Sequence, residues 1–194
     1  MKPRANDTHH YTYADYVTWP EGFSDELIDG MLYVREPTAP TLMHQGIVGE
    51  LYGQAYVALR EKPCRVYVAP VDVRLPKSTE PDLEIDTIVQ PDVLIVCDAQ
   101  KLDARGVRGA PDWIAEVLSP STASYDRNIK VPVYERAGVR ELWLVDPIDR
   151  SVAIYQLKAG QYGRPSVLDL KGAMQIGAVP DVTIDWDHVV ARLS

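Results

Sequence analysis

Two carboxylates stand where carboxylates are costly. Asp92 lies in the apolar run Pro91-Asp92-Val93-Leu94-Ile95-Val96-Cys97, and Glu116 lies in Trp113-Ile114-Ala115-Glu116-Val117-Leu118. Both runs read as strands covered on two faces, where an unpaired carboxylate is expensive to bury. With side chains alternating, Asp92 shares a face with Leu94 and Val96, and Glu116 with Ile114 and Leu118. On neighbouring strands the two acids could meet at one end of a sheet and hold a hard divalent cation. The competing reading puts each at a strand end, solvated or paired with an arginine, and both stay open at this point. Downstream, Asp126, Lys130 and Tyr134 recur at i, i+4 and i+8, on one helical face. Either Asp126 and Lys130 form a surface pair worth about 0.3–0.5 kcal/mol, or Lys130 reaches over the sheet end to the cation.

Other chemistries find less support. The paired acids would suit a glycosidase, but no aromatic cluster beside them could stack a sugar. There is no G-x-S-x-G elbow for a serine hydrolase, and Ser119, between Leu118 and Pro120, reads as a cap for the coming helix. Of the four histidines, His9 and His10 read as disordered tail, His188 lies near the other end, and His44 is the candidate. Cys64 and Cys97 are too few for a CxxC zinc site; far apart in apolar company, they read as reduced thiols in a cytoplasm. Residues 1–7 have a positive start but no apolar run, unlike a signal peptide, and no stretch approaches a membrane helix.

Net charge is -8, and all of it falls in residues 1–100, with 8 Lys+Arg against 16 Asp+Glu. Such a surface argues against passive, non-specific binding of phosphates. It says little about an enzyme whose cation neutralises the carboxylates where substrate touches.

The elements that must position these residues follow from pattern. Hydrophobic residues at 46% and 194 residues in all suit one domain with a real core. Residues 12–19 suit a helix capped by Thr12 and stopped at Pro20-Glu21-Gly22. Residues 26–34 read as a hairpin around Asp29-Gly30. Ile47, Val48, Leu51, Tyr52, Ala55, Tyr56 and Leu59 give residues 41–62 a helical period, with Gly46, Gly49 and Gly53 able to admit another backbone. Arg65 to Leu75 alternates as a strand, and 76–89 reads as a loop or edge hairpin. After the two apolar strands, a helix is expected from about Thr122 to Ala137, ended by Gly138 and interrupted or kinked at Pro132. Glu141–Asp146 is another buried strand, paired with 151–157, and edge strands and a short helix complete the chain. The sum is an α/β sandwich with a mixed sheet and packed helices.

The joint order of several motifs resembles a known family. Pro91-Asp92, Glu116-Val117-Leu118-Ser119-Pro120-Ser121-Thr122, Asp126, Lys130, Tyr134, Ala137-Gly138-Val139 and Leu142-Trp143-Leu144-Val145-Asp146-Pro147 carry the likeness. Tyr13, Glu26-Leu27-Ile28-Asp29-Gly30, His44-Gln45 and Ala69-Pro70-Val71-Asp72-Val73 extend it upstream, over roughly residues 11–157. They resemble a bacterial family of putative restriction endonucleases, first catalogued as a domain of unknown function, in the PD-(D/E)XK, restriction-endonuclease-like superfamily.

The resemblance implies one nuclease-like domain over residues 1–194, and a cytoplasmic endonuclease requiring Mg²⁺ or Mn²⁺ and cutting nucleic acid, DNA by expectation. Asp92, Glu116 and the Val117 carbonyl would hold the metal. The superfamily's lysine position is Leu118 here, and Lys130 on the following helix is the matching cation. Glu26 would be a helper carboxylate; His44, Asp72, Ser119, Asp126 and Tyr134 would line the pocket. In-line attack would leave a 5′ phosphate. A homodimer is expected, since a duplex needs two sites and 11 Tyr against 1 Phe offer amphipathic surface. The alternative is an inactive nuclease-fold module that binds nucleic acid or a protein.

Overall fold

The structure is a computed structural model describing residues 9–20, 25–34 and 41–192. Thr12 caps the first helix, α1 (Tyr13–Tyr16), and its N–H donates to the Asp15 carboxylate at 2.9 Å. The chain passes into a turn after Tyr16 rather than staying helical to Trp19; Glu21 and Gly22 lie outside the described residues. Asp29 and Gly30 both take positive φ, 51° and 75°, so the chain reverses and β1 (Glu26–Ile28) pairs with β2 (Met31–Tyr33). His10, expected in a loose tail, stacks over this turn and reaches Asp86 at 3.3 Å. Thr41 caps α2 (Leu42–Leu59), which buries Ile47, Val48, Leu51, Ala55 and Leu59. Its Gly49 and Gly53 face open space, so no backbone exploits them.

The stretch expected as one strand over 65–75 is two, β3 (Arg65–Val68) and β4 (Val73–Arg74), in different sheets. Pro70 has no N–H to give a ladder, so the strand ends there. A loop with a 3₁₀ turn at Asp82–Glu84 leads to β5 (Ile88–Val89) and the buried β6 (Val93–Val96). A hairpin absent from the sequence expectations follows, β7 (Leu102–Asp103) and β8 (Gly106–Arg108), then β9 (Trp113–Val117). The next helix has three parts: α3 (Ala123–Tyr125), a π-turn (Asp126–Lys130) and α4 (Val131–Ala137), ended by Gly138 at φ 90°. Then come β10 (Glu141–Asp146), β11 (Ser151–Lys158), β12 (Gln161–Tyr162), β13 (Ser166–Asp169), β14 (Ala173–Gln175), β15 (Thr183–Asp185) and α5 (Trp186–Ala191).

The larger sheet runs β12-β11-β10-β9-β6-β3, with β13 also on β11. Only its β9–β10 pair is parallel, and the helices α3 and α4 provide the crossover that a parallel pair requires. A smaller sheet, β2-β1-β5-β4-β8-β7, lies against it, and β14 pairs with β15. Alternation divides the larger sheet's residues between two cores. Val93, Ile95, Trp113, Ala115, Val117 and Trp143 pack on α2 and Trp186. Leu94, Val96, Ile114, Leu118, Leu142 and Leu144 pack on Val131, Val133, Tyr134 and the small sheet.

The expectation of two reduced thiols is corrected: Cys64 and Cys97 form a disulfide. The pairing Arg65↔Val96 at the ends of β3 and β6 sets the next residues, Cys64 and Cys97, opposite one another. Separation in sequence concealed adjacency in the sheet. Among the described residues no helix is long and apolar enough to cross a membrane.

Candidate active site

The strand pairing brings the two acids together. Val93 pairs with Ala115 in the antiparallel β6–β9 ladder, so the next residues, Asp92 and Glu116, stand opposite each other on the face of Ile114 and Leu94. Asp92 ends the ladder with its side chain: its Oδ2 accepts from the Val117 N–H at 2.8 Å and lies 3.2 Å from His44 Nε2 at the start of α2. Burial raises the Asp92 carboxyl, but those two bonds and the charges of His44 and Lys130 outweigh it and hold the group below its ordinary value.

Glu116 sits deeper, 2% exposed, and its Oε1 takes two partners. Lys130 Nζ lies 2.5 Å from it and the Tyr134 hydroxyl donates to it at 2.5 Å. Burial pushes the Glu116 carboxyl up to about 8 against the pull of Lys130, with Asp92, Asp126 and Glu26 adding to the rise. The Tyr134 hydroxyl is raised well above its usual value, by burial first and then by Glu116.

The small sheet supplies Glu26 from the other side. It is fully buried, with Oε1 3.1 Å from Lys130 Nζ and accepting from the Gln90 N–H at 2.7 Å, while Oε2 accepts from the Tyr125 hydroxyl at 2.8 Å. Lys130 is thus held between Glu116 and Glu26, with Asp126 Oδ1 at 3.9 Å, and is 1% exposed. Burial also raises the Asp126 carboxyl, with Lys130 opposing. Arg127, on the same turn, is half exposed and pairs with Asp146 instead.

Asp72 extends the cluster outward. Its Oδ1 accepts from Tyr16 at 3.0 Å and from the Gln90 side chain at 2.8 Å. Gly106, at φ 114°, lets β8 pass close to the Asp72 carbonyl, which accepts from Val107. Ser119 is not brought in: its hydroxyl lies 3.1 Å from Ser121 Oγ and 3.0 Å from Thr122 Oγ1, holding the turn into α3. Leu118 is buried in the core, in agreement with its apolar nature.

Three participants escaped the sequence reading: Gln90, Tyr125 and Tyr16. Gln90 links Glu26, through its backbone, to Asp72, through its amide, two residues before Asp92. The tyrosine excess was the signal, and it pointed elsewhere. Tyrosine hydroxyls serve Asp72, Glu26 and Glu116 from inside, and among the described residues Tyr56 alone of the tyrosines is exposed.

The donor set can be tested against a divalent cation. Asp92 Oδ1 and Glu116 Oε2 accept no hydrogen bond from the described residues, so one hard oxygen on each opposed carboxylate remains for an ion. Among the described residues no three His, Cys, Asp or Glu are grouped to cage a metal. Two carboxylate oxygens are a donor set of the kind Mg²⁺ accepts, since it binds through one or two carboxylates plus substrate phosphate and keeps much of its water.

The comparisons agree with this architecture. The family model Uma2, described as putative restriction endonuclease, matches residues 13–187. The fold is similar to a crystal structure of a putative nuclease belonging to DUF820 from Anabaena variabilis, with TM-score 0.74 at 17% identity over 94% of this chain and 99% of that one. The mixed sheet with flanking helices is thus a nuclease-like fold. No curated protein matches the sequence.

Proposed function

Because this chain belongs to the Uma2 family of putative restriction endonucleases, we propose that it is a divalent-metal-dependent endonuclease whose lysine has moved from strand to helix. The observation that carries the reading is Lys130, an ammonium buried 2.5 Å from Glu116, which stands opposite Asp92. It delivers to the sheet end the positive charge that Leu118 cannot.

Asp92 and Glu116 would hold Mg²⁺ or Mn²⁺, with the Val117 carbonyl beside them. When bound, the ion would polarise a phosphodiester oxygen and lower the pKa of a coordinated water. The chain's own groups do the rest. Lys130 carries the charge that meets the developing negative oxygen. Tyr134 fixes the Glu116 carboxylate, and Glu26 holds Lys130 from the opposite side. The Val117 N–H and His44 orient Asp92, and Gln90 ties Asp72 to Glu26 on the outer side of the cluster. DNA is the substrate we favour, and paired sites in a two-fold dimer would address both strands of a duplex.

Asp92→Asn tests this. It removes one hard ligand while keeping shape, so both Mn²⁺ binding by calorimetry and cleavage of plasmid or single-stranded DNA should be lost. Wild-type protein that binds Mn²⁺ but cuts neither DNA nor RNA would instead be the inactive nuclease-fold module. Binding and cleavage unaffected by Asp92→Asn would refute the site.

A further inference from the structure

The turn that carries Lys130 is not α-helical, and a proline stands two residues beyond it. Residues Asp126–Lys130 form a π-turn, and the Val131 N–H donates to the Asp126 carbonyl, five residues back instead of four. Pro132 follows at the start of α4. A proline there has no N–H for the Asn128 carbonyl, and its ring crowds that carbonyl in an α-helix. Widening the preceding turn removes the clash.

That widening has a consequence in the pocket. Tyr125 and Lys130 are five residues apart, yet both reach Glu26: the Tyr125 hydroxyl at Oε2, 2.8 Å, and Lys130 Nζ at Oε1, 3.1 Å. On a helix of 3.6 residues per turn they would point about 140° apart. A π-turn, hydrogen-bonded from i to i+5, is wider and brings them much closer to one face. The same helix must also aim Tyr134 at Glu116. We propose that Pro132 is a positioning residue. By imposing the π-turn it sets Tyr125 and Lys130 in phase, so that together they close over Glu26 and hold the lysine in the carboxylate pocket. Naming Lys130 the working cation rests on the nuclease reading above; the phasing itself does not.

In Pro132→Ala the regained N–H lets the helix revert to α. Val131, Val133 and Tyr134 pin α4 in the core, whereas α3 buries no residue, so α3 is the part that turns. Tyr125 then leaves Glu26, and Lys130 is opened to solvent. Limited acetylation of the full chain, read by mass spectrometry, measures this, with Lys171, 76% exposed, as internal reference. Lys130 should be modified about tenfold faster than in wild type. Cleavage should fall about 100-fold, as expected for a misplaced reacting group, with Mn²⁺ affinity kept.

The companion variant adds deletion of Asn128 to Pro132→Ala. Tyr125 and Lys130 become four residues apart, about 40° on an α-helix, and protection and cleavage should both return. Wild-type labelling in Pro132→Ala, or no recovery in the companion, overturns the proposal. If Pro132→Ala does not fold, the companion decides: a folded protein with slow Lys130 labelling supports the proposal, and an equally unfolded one overturns it. A wild-type protein with no nuclease activity would sink the functional reading, while the labelling comparison would still decide the π-turn.

Discussion

Replacing Lys130 with methionine isolates the charge, because the apolar stem is kept and the core volume hardly changes. In the folded chain the ammonium lies 2.5 Å from Glu116 and 3.1 Å from Glu26, with all three side chains at 2% exposure or less. Removing one partner of such a buried pair costs up to about 3–5 kcal/mol where the other group stays charged and uncompensated. For a chain of this size that lowers Tm by roughly 6–20 °C. The loss must depend on pH, and its sign follows from Glu116. Its folded pKa is raised from 4.5 to about 8, so its contribution is full below the unfolded value and is lost as pH rises through the folded one. Lys130 is the group pulling that value down, so without it the value climbs further. Wild type stops losing stability above about pH 8, and the variant continues, by up to about 1.4 kcal/mol per pH unit. Thermal unfolding by circular dichroism from about pH 6 to about pH 9 should show the gap in Tm widening with pH. Cleavage should disappear while Mn²⁺ binding is largely kept, since the ligands are oxygen. An unchanged, pH-independent Tm would refute the buried-cation reasoning. Unchanged cleavage in a protein with measurable activity would shift the role to another cation or a second metal, and Arg127→Met would then be the comparison.

Two further outcomes follow from other parts of the molecule. Cys64→Ser with Cys97→Ser opens a loop of 33 residues, which by chain entropy costs about 3–4 kcal/mol. A reductant-insensitive Tm roughly 6–16 °C below that of oxidised wild type is expected, and equal Tm values would show that the bond is not formed in solution. Sedimentation at high micromolar concentration should find a two-fold dimer; a monomer would point to single-stranded substrate.

Sequence pattern pointed to the candidate site because two of its residues violate the pattern around them. Asp92 and Glu116 are acids in apolar runs, and strand alternation alone put them on the face they occupy with Leu94 and Ile114. Their opposition needed the register Val93↔Ala115, which no single strand reveals. The same limit explains the cysteines, whose partnership depends on β3 and β6 being neighbours. The strand expected over 65–75 failed for a local reason, since alternation continues through Pro70 while the ladder cannot. Tyrosines are the subtler case. Their number suggested a surface, but a phenol can also be a buried ring with a hydroxyl to spend on a carboxylate, and Tyr16, Tyr125 and Tyr134 are used that way.

The proposed displacement of the lysine shows why residue spacing and side-chain direction are different quantities. A lysine at Leu118 would need only strand alternation to share a face with Glu116, because it would be two residues along the same strand. From a helix, the ammonium must satisfy a rotational phase as well as a distance. The i, i+4, i+8 spacing of Asp126, Lys130 and Tyr134 assumes a uniform helix, and each four-residue step on such a helix drifts about 40°. The π-turn shifts that phase between Asp126 and Lys130, and so adds Tyr125 to the group that reaches the carboxylates. Pro132 was visible in the sequence as an interruption. Its effect is to retime the helix without ending it, and the cluster of Glu26, Glu116 and Lys130 depends on that timing.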